Sequence, residues 1–255
     1  MGGDLLSAST IFGFLLTLVR VAGVFVFVPI PGLKSAVDPA RILLMLGVTI
    51  ALYSVWPHPT GNVSPGLFVL WVMSEAALGI GIGLAVAFAI ESFLVGAQIV
   101  GLQAGYSFAS MVDPFTQADS TVLVALAQTA AGLLFFAMGL DREVLRIFAR
   151  SLVVFPPGTF VMSRGATQLI LLAGSTMFST GLRLALPVMA VMLMVEISLA
   201  LLGRVNAQLH LMAIAFPIKM MLGLGLLAWL AVLLPALLRG ASGASFAAAR
   251  AFAVR

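Results

Sequence analysis

The sequence predicts an all-α membrane protein built from about six or seven apolar helical segments. Three observations predict it. First, only 9% of the 255 residues are charged and 62% are hydrophobic, with a mean hydropathy of +1.19. Soluble domains carry about 25% charged residues, so 13 basic and 9 acidic side chains cannot coat a water-soluble globule of 26.6 kDa. Second, residues 5–19, 42–74, 92–112, 120–140, 166–182 and 220–238 contain no formal charge, and roughly 20 apolar residues cross a bilayer core. Third, no segment alternates apolar and polar residues as a barrel strand does. Backbone groups in lipid must be satisfied internally, so the apolar runs are helices.

Prolines and glycines divide the elements. The first runs over about 5–28 and ends at Pro29-Ile30-Pro31-Gly32. It opens on Met1-Gly2-Gly3-Asp4, without a positive stretch or a clear small-residue cleavage site, and is expected to be a retained helix rather than a secretory signal. A polar connection with Lys34, Asp38 and Arg41 follows. The second segment, about 42–56, stops at Pro57-His58-Pro59. A third begins near Gly66, after Pro65, and passes Glu75 to about Ala89; Glu91 is expected to interrupt it before another apolar helix runs to about Met111. After the polar loop 113–119 come a helix near 121–139 and an amphipathic stretch bearing Asp141 and Glu143, with Arg142, Arg146 and Arg150 on one face. Pro156-Pro157-Gly158 ends that stretch. Two long helical regions, about 167–202 and 211–238, contain Pro187 and Pro217, each expected to kink or break its helix. The whole reads as one helical membrane domain, 1–238, with a basic Ala-rich tail, 239–255.

The basic residues do not fix a topology. Lys34 with Arg41, the Arg142/Arg146/Arg150 face and the tail from Arg239 all favour the cytoplasm. Simple alternation satisfies all three only with seven crossings. Otherwise some helices are re-entrant hairpins, or the chain does not sit in the bilayer as an ordinary polytopic protein.

Several function classes fall away. Cysteine is absent, which excludes disulfides, thiol catalysis and thiolate-bound metals. The basic residues are scattered among apolar helices, which is not a nucleic-acid-binding face, despite a net charge of +4. Ser, His and Asp are not grouped, paired carboxylates are missing and no metal-ligand spacing occurs, so neither an enzyme nor a bound cofactor or metal is expected. Gly79-Ile80-Gly81-Ile82-Gly83 lies inside an apolar run with no preceding strand, which fits helix packing rather than a phosphate-binding loop. Gly79 with Gly83, and Gly101 with Gly105, are small-xxx-small pairs that let helix backbones approach closely. Glu75, Glu91, Arg183, Glu196, Arg204 and Lys219 lie in or beside the apolar segments. Charges at such depth face a protein interior or an aqueous path. They fit either charge pairing across helices, with Glu75, Arg183 and Lys219 as candidates, or an ion-coupled transporter.

The order of these features resembles the FliR family. Phe14 through Arg20 and Gly23, then Pro29, Pro31-Gly32, and Asp38-Pro39-Ala40-Arg41, are similar to the family's opening. Glu75 with Gly79 and Gly83 resembles its Glu-and-glycine helix. The most specific match is the stretch from Gly96-Ala97-Gln98 through Gly101-Leu102-Gln103-Ala104-Gly105 to Asp113-Pro114. Pro156-Pro157-Gly158, then Gly181-Leu182-Arg183 with Pro187, then Gly203-Arg204 and Phe216-Pro217-Ile218-Lys219, complete a resemblance over about residues 5–238. The chain departs from the family pattern at Gly139–Glu143, where an aromatic or histidine turn is usual, and at Asn206-Ala207, where a proline is usual.

The resemblance implies bent helical hairpins in a hetero-oligomeric export gate, assembled with FliP-like and FliQ-like membrane proteins and served by an FlhB-like protein at its cytoplasmic entrance. It implies a place in the bacterial inner membrane at the flagellar basal body, with unfolded export substrates in transit, driven by the proton motive force and an associated ATPase. An injectisome gate of the virulence type shares the pattern. The loop after the Gln/Gly-rich helix resembles a plug closing the resting pore. It maps to about 106–120, with Tyr106, Ser107, Phe108, Met111, Asp113, Pro114 and Phe115 as candidate plug residues.

Overall fold

The computed structural model describes residues 8–30, 38–57, 64–106, 122–156, 158–162, 164–205 and 211–253. Among them every regular element is helical: α1 (Ala8–Phe27), α2 (Pro39–Ala51), a 3-10 turn (Tyr53–Val55), α3 (Pro65–Gln103), α4 (Val122–Ala137), α5 (Leu140–Val154), α6 (Arg164–Val205) and α7 (Leu211–Ala253). The all-α class is therefore as the composition requires.

Local chemistry sets several of the ends. At the start of α2, Asp38 accepts a hydrogen bond from the Ala40 amide at 3.1 Å, and Pro39 supplies the first helical residue, where no donor is needed. Asp141 and Glu143 occupy the first turn of α5, where acidic groups oppose the helix dipole favourably. Its apolar stripe of Val144, Ile147 and Phe148 is buried, while Arg142, Arg146 and Arg150 are exposed.

One expectation needs correction. Glu91 does not interrupt its helix: α3 is continuous over 39 residues. A single glutamate is a good helix former and breaks only the apolarity of a surface, here by standing exposed. Of the two outcomes expected at Pro187 and Pro217, a kink or a break, the break does not occur: α6 and α7 continue through them, as α7 does through Pro235. A proline removes one backbone donor, and the intact turns on either side carry the helix across. Beyond Arg239 the chain stays helical to Ala253, with Phe246, Ala248 and Ala249 buried.

By length and composition, Ser9–Phe27, Pro65–Gln103 and Arg164–Arg204 are each able to cross a membrane, and the α4–α5 pair makes a fourth span if counted as one. Ala215–Trp229 is a shorter apolar stretch.

The chain divides into two compact units. The first combines Met1–Phe88, Phe135–Gly174 and Ser242–Arg255. Its centre is the crossing of α1 with the first half of α3. A Cβ at Gly83 would lie 2.6 Å from the Val24 carbonyl oxygen, and one at Gly23 would lie 2.8 Å from the Ile80 nitrogen. Only glycines admit so close a backbone approach. Leu16, Val21 and Val24 of α1 and Leu78, Ile82 and Val86 of α3 are all fully buried. The second unit combines Ala89–Leu134 and Ser175–Ala241. The second half of α3 meets α6 at Gly96 and Gly181, where a Cβ on Gly181 would stand 2.7 Å from the Ser92 carbonyl. Met192 and Val188 of α6 are buried in this unit.

Candidate functional site

Among the described residues, the packed apolar core of the first unit holds one ion pair. Arg20 of α1 and Glu75 of α3 are 1% and 2% exposed, too little for water to solvate either charge. The guanidinium grips the carboxylate with two donors: Nε to Oε2, and Nη2 to Oε1 at 2.8 Å. Its remaining capacity goes to the end of α5. Nη1 donates to the Ser151 carbonyl at 2.8 Å and to Ser151 Oγ at 3.4 Å, and Nη2 donates to the Phe155 carbonyl at 3.0 Å. The Ser151 carbonyl also accepts from the Phe155 amide at 3.0 Å, and the last turn of a helix carries the negative end of its dipole, so a cation belongs there. Glu75 Oε1 in turn accepts from the Gly158 amide at 3.4 Å. Arginine alone has the planar fork to serve a carboxylate and two carbonyls together.

The turn after α5 is held from α3. Gly158 has a φ of +72°, which a side chain tolerates poorly, and any Cβ there would overlap the indole of Trp71. Ser74 Oγ donates to the Phe160 carbonyl at 2.9 Å. Trp71, Ser74 and Glu75, adjacent on α3, thus seat residues 155–160. Arg41 repeats the arrangement: its Nη1 donates to the carbonyls of Phe25 at 3.0 Å and Val26 at 2.6 Å, at the end of α1.

In the second unit the polar groups gather at the end of α3. The Gly105 amide donates to the Leu102 carbonyl and Tyr106 to that of Gly101, closing the helix with Gly105 at a φ of +84° against the Phe216 ring. The Tyr106 hydroxyl donates to the Met220 carbonyl of α7 at 2.8 Å, and partial burial pushes this phenol above its usual range. Gly223 of α7 lets Ala104 approach, since a Cβ there would come within 2.7 Å of it. One turn before Gly223 on α7, Lys219 pairs with Glu196 of α6 at 2.6 Å.

The residues singled out from the sequence therefore fall in the first unit, in the second unit, or outside the described residues. Glu75, Gly79 and Gly83 lie in the first unit, at and beside the crossing with α1. Gly101, Gly105, Tyr106 and Lys219 lie in the second, at the end of α3 and on α7. Arg183 stands exposed on α6, without an ion-pair partner among the described residues. Ser107, Phe108, Met111, Asp113, Pro114 and Phe115 lie outside the described residues. Sequence reasoning missed Arg20 as the partner of Glu75, and Ser151 as an acceptor for Arg20. Arg20 is the one charge in the apolar stretch 5–28, which was the available sign, but its partner is 55 residues away. Among the described residues no cluster of three His, Asp or Glu side chains stands ready for a metal ion. Arg20 and Glu75 are fully engaged with each other and with backbone, so the arrangement ties helices together and leaves no free acid or base.

Comparison with known proteins agrees in extent with this two-unit chain. The model of the bacterial export proteins, family 1, matches residues 11–244. The flagellar biosynthetic protein FliR of Escherichia coli is 30% identical over 214 residues, covering 83% of this chain and 81% of that protein. FliR of Bacillus subtilis is 22% identical over 209 residues, 81% of each chain. The surface presentation of antigens protein SpaR of Salmonella typhimurium is 26% identical over 221 residues, 84% of this chain and 79% of that one.

Proposed function

Because the chain belongs to family 1 of the bacterial export proteins, we propose that it is the FliR-type subunit of a flagellar type III export gate. It forms, with FliP-like and FliQ-like proteins, the inner-membrane pore for unfolded export substrates, next to an FlhB-like protein at the basal body. The observation that carries the reading is the extent of the likeness to the Escherichia coli flagellar protein, which spans both compact units and 81% of that relative's length.

The structure lends physical support. A pore for unfolded chains needs an apolar, sequence-tolerant wall and a seal with a firm root, not a substrate pocket or a catalytic group. The segment 106–120 is the proposed seal. Its root is the end of α3, pinned to α7 by the Tyr106 hydrogen bond and the Gly105–Phe216 contact. A stand-alone ion-coupled transporter needs carboxylates able to exchange protons, whereas Glu75 is held by Arg20 and the Gly158 amide. No enzymatic step and no cofactor is part of this proposal.

A second reading, an injectisome gate subunit, is favoured by one observation, the match to SpaR. One experiment separates the two. The gene is deleted in its own host and secreted proteins are collected from the medium. Loss of flagellin and hook protein, restored by the gene in trans, supports the flagellar gate. Loss of virulence effectors alone supports the injectisome, and unchanged secretion of both overturns the export reading.

A further inference from the structure

Helix α5 is packed on one side and open on the other. Val144, Ile147, Phe148 and Ser151 are buried, so the protein core already occupies its apolar stripe. The opposite side, an arc of about 140° at 3.6 residues per turn, carries Arg142, Leu145, Arg146, Arg150 and Val153, all exposed. Arg142 and Arg150 have no ion-pair partner among the described residues. Arg146 is 78% exposed and stands 3.7 Å from Glu143, whose other oxygen pairs with Arg250 at 2.7 Å. Asp141 has its Oδ1 buried. The open face is therefore positive.

Two features of this face name what lies against it. Its charge has no complement on the chain: among the described residues no helix carries two exposed carboxylates on one side, so a second copy supplies none either. Its guanidiniums are also interleaved with bare apolar groups, Leu145 at 42% and Val153 at 73% exposure. An acidic protein or a nucleic acid matches the first feature and sets charge against the second. The headgroup level of a bilayer matches both, because guanidiniums reach phosphates while apolar groups and arginine stems lie against acyl chains. Position along the chain agrees. Helix α4 is apolar to its last turn, where Phe136 is exposed, and Arg142 follows in the first turn of α5. Basic residues on an amphipathic helix beside an apolar one attract anionic headgroups.

We infer that the open face of α5 is a docking surface for anionic phospholipid headgroups, with Arg142, Arg146 and Arg150 binding the phosphates. Such a contact holds α5 at the membrane surface. Either export system is compatible with it, since it requires only that the chain sit in a membrane.

The chain has no cysteine, so Ala149→Cys, on the same face of α5, accepts a single bimane fluorophore. The full labelled chain is placed in phosphatidylcholine vesicles containing a small fraction of dibrominated phosphatidylglycerol or, in parallel, of dibrominated phosphatidylcholine. One arginine near an anionic surface favours it by about fivefold, so the anionic quencher is expected to be at least fivefold more effective. R142Q/R146Q/R150Q brings the ratio near one, and R142K/R146K/R150K keeps it within about twofold of wild type. Equal quenching by the two lipids overturns the inference. Quenching by neither also overturns it, and marks a face covered by protein or by nucleic acid. Inorganic phosphate replacing chloride at equal ionic strength leaves the ratio unchanged; its collapse would mark a site for free phosphate and overturn the inference. Should the triple glutamine variant fail to insert, the wild-type ratio in about 1 M salt decides, because screening there is strong. A ratio near one sustains the inference, and an unchanged ratio overturns it.

Discussion

A guanidinium buried among leucines and valines is stable only if every donor finds an acceptor, and Arg20 meets that condition by drawing on three segments. Its ion pair with Glu75 joins α1 to α3, and its bonds to the carbonyls of Ser151 and Phe155 join both to the end of α5. Removing one partner strands the other charge in the core. Glu75→Ala is expected to destabilise the chain by about 3–5 kcal/mol, whereas replacing both, as Arg20→Met with Glu75→Leu, recovers most of that loss. Denaturation midpoints of detergent-purified protein check this; equal losses in the single and double variants would show that the pair is not what holds the site. The glycines at the crossing act by absence of bulk. A side chain at Gly79 overlaps the Arg20 carbonyl, so Gly79→Leu separates α1 from α3 and disturbs the same ion pair. Limited proteolysis should then cut the chain near residues 28–38 at lower protease concentration than in wild type. Unchanged cutting would mean that the crossing adapts.

At the scale of elements, the sequence was informative wherever termination has a local cause. Pro65 and Pro156 mark real boundaries, because proline's missing donor and fixed φ act on its own turn, whereas the second segment, expected to reach Pro57, ends as an α-helix at Ala51 and continues as a 3-10 turn. The amphipathic α5 was legible for the same reason: its arginine face and apolar stripe follow from spacing alone. The continuity of α3 through Glu91 was not legible, since lack of charge reports affinity for lipid and not helical state. Pro187 and Pro217 left a kink and a break equally open in the sequence, and the long helices around them continue past one lost hydrogen bond. The ends of α3 and α7 carry a functional prediction. Tyr106 is joined to Met220 by one hydrogen bond, so Tyr106→Phe removes the tie while keeping the ring. With the segment 106–120 as the seal, this change is expected to raise permeability of the assembled gate modestly, and deletion of 107–120 to raise it at least tenfold. Uptake of a small membrane-impermeant dye by cells measures both. A barrier intact after the deletion would remove the seal from the account.

At the scale of the whole molecule, the number of candidate spans follows from helix length and apolarity together. Only three helices among the described residues are long and apolar enough to cross a membrane singly, with a fourth span if α4 and α5 are counted together. Yet exposed apolar side chains extend along α2, α3 and α6. The Arg20–Glu75 site lay beyond the sequence because pairing across 55 residues is a property of the fold, whereas candidate charges such as Arg183 were visible as interruptions of apolar runs.

Native mass spectrometry of this chain, co-expressed with the FliP-like and FliQ-like proteins of its host, tests the central claim most directly. The account predicts a stable complex holding one copy of this chain beside several of each partner. A chain that purifies by itself as a monodisperse species, with neither partner retained, would contradict it.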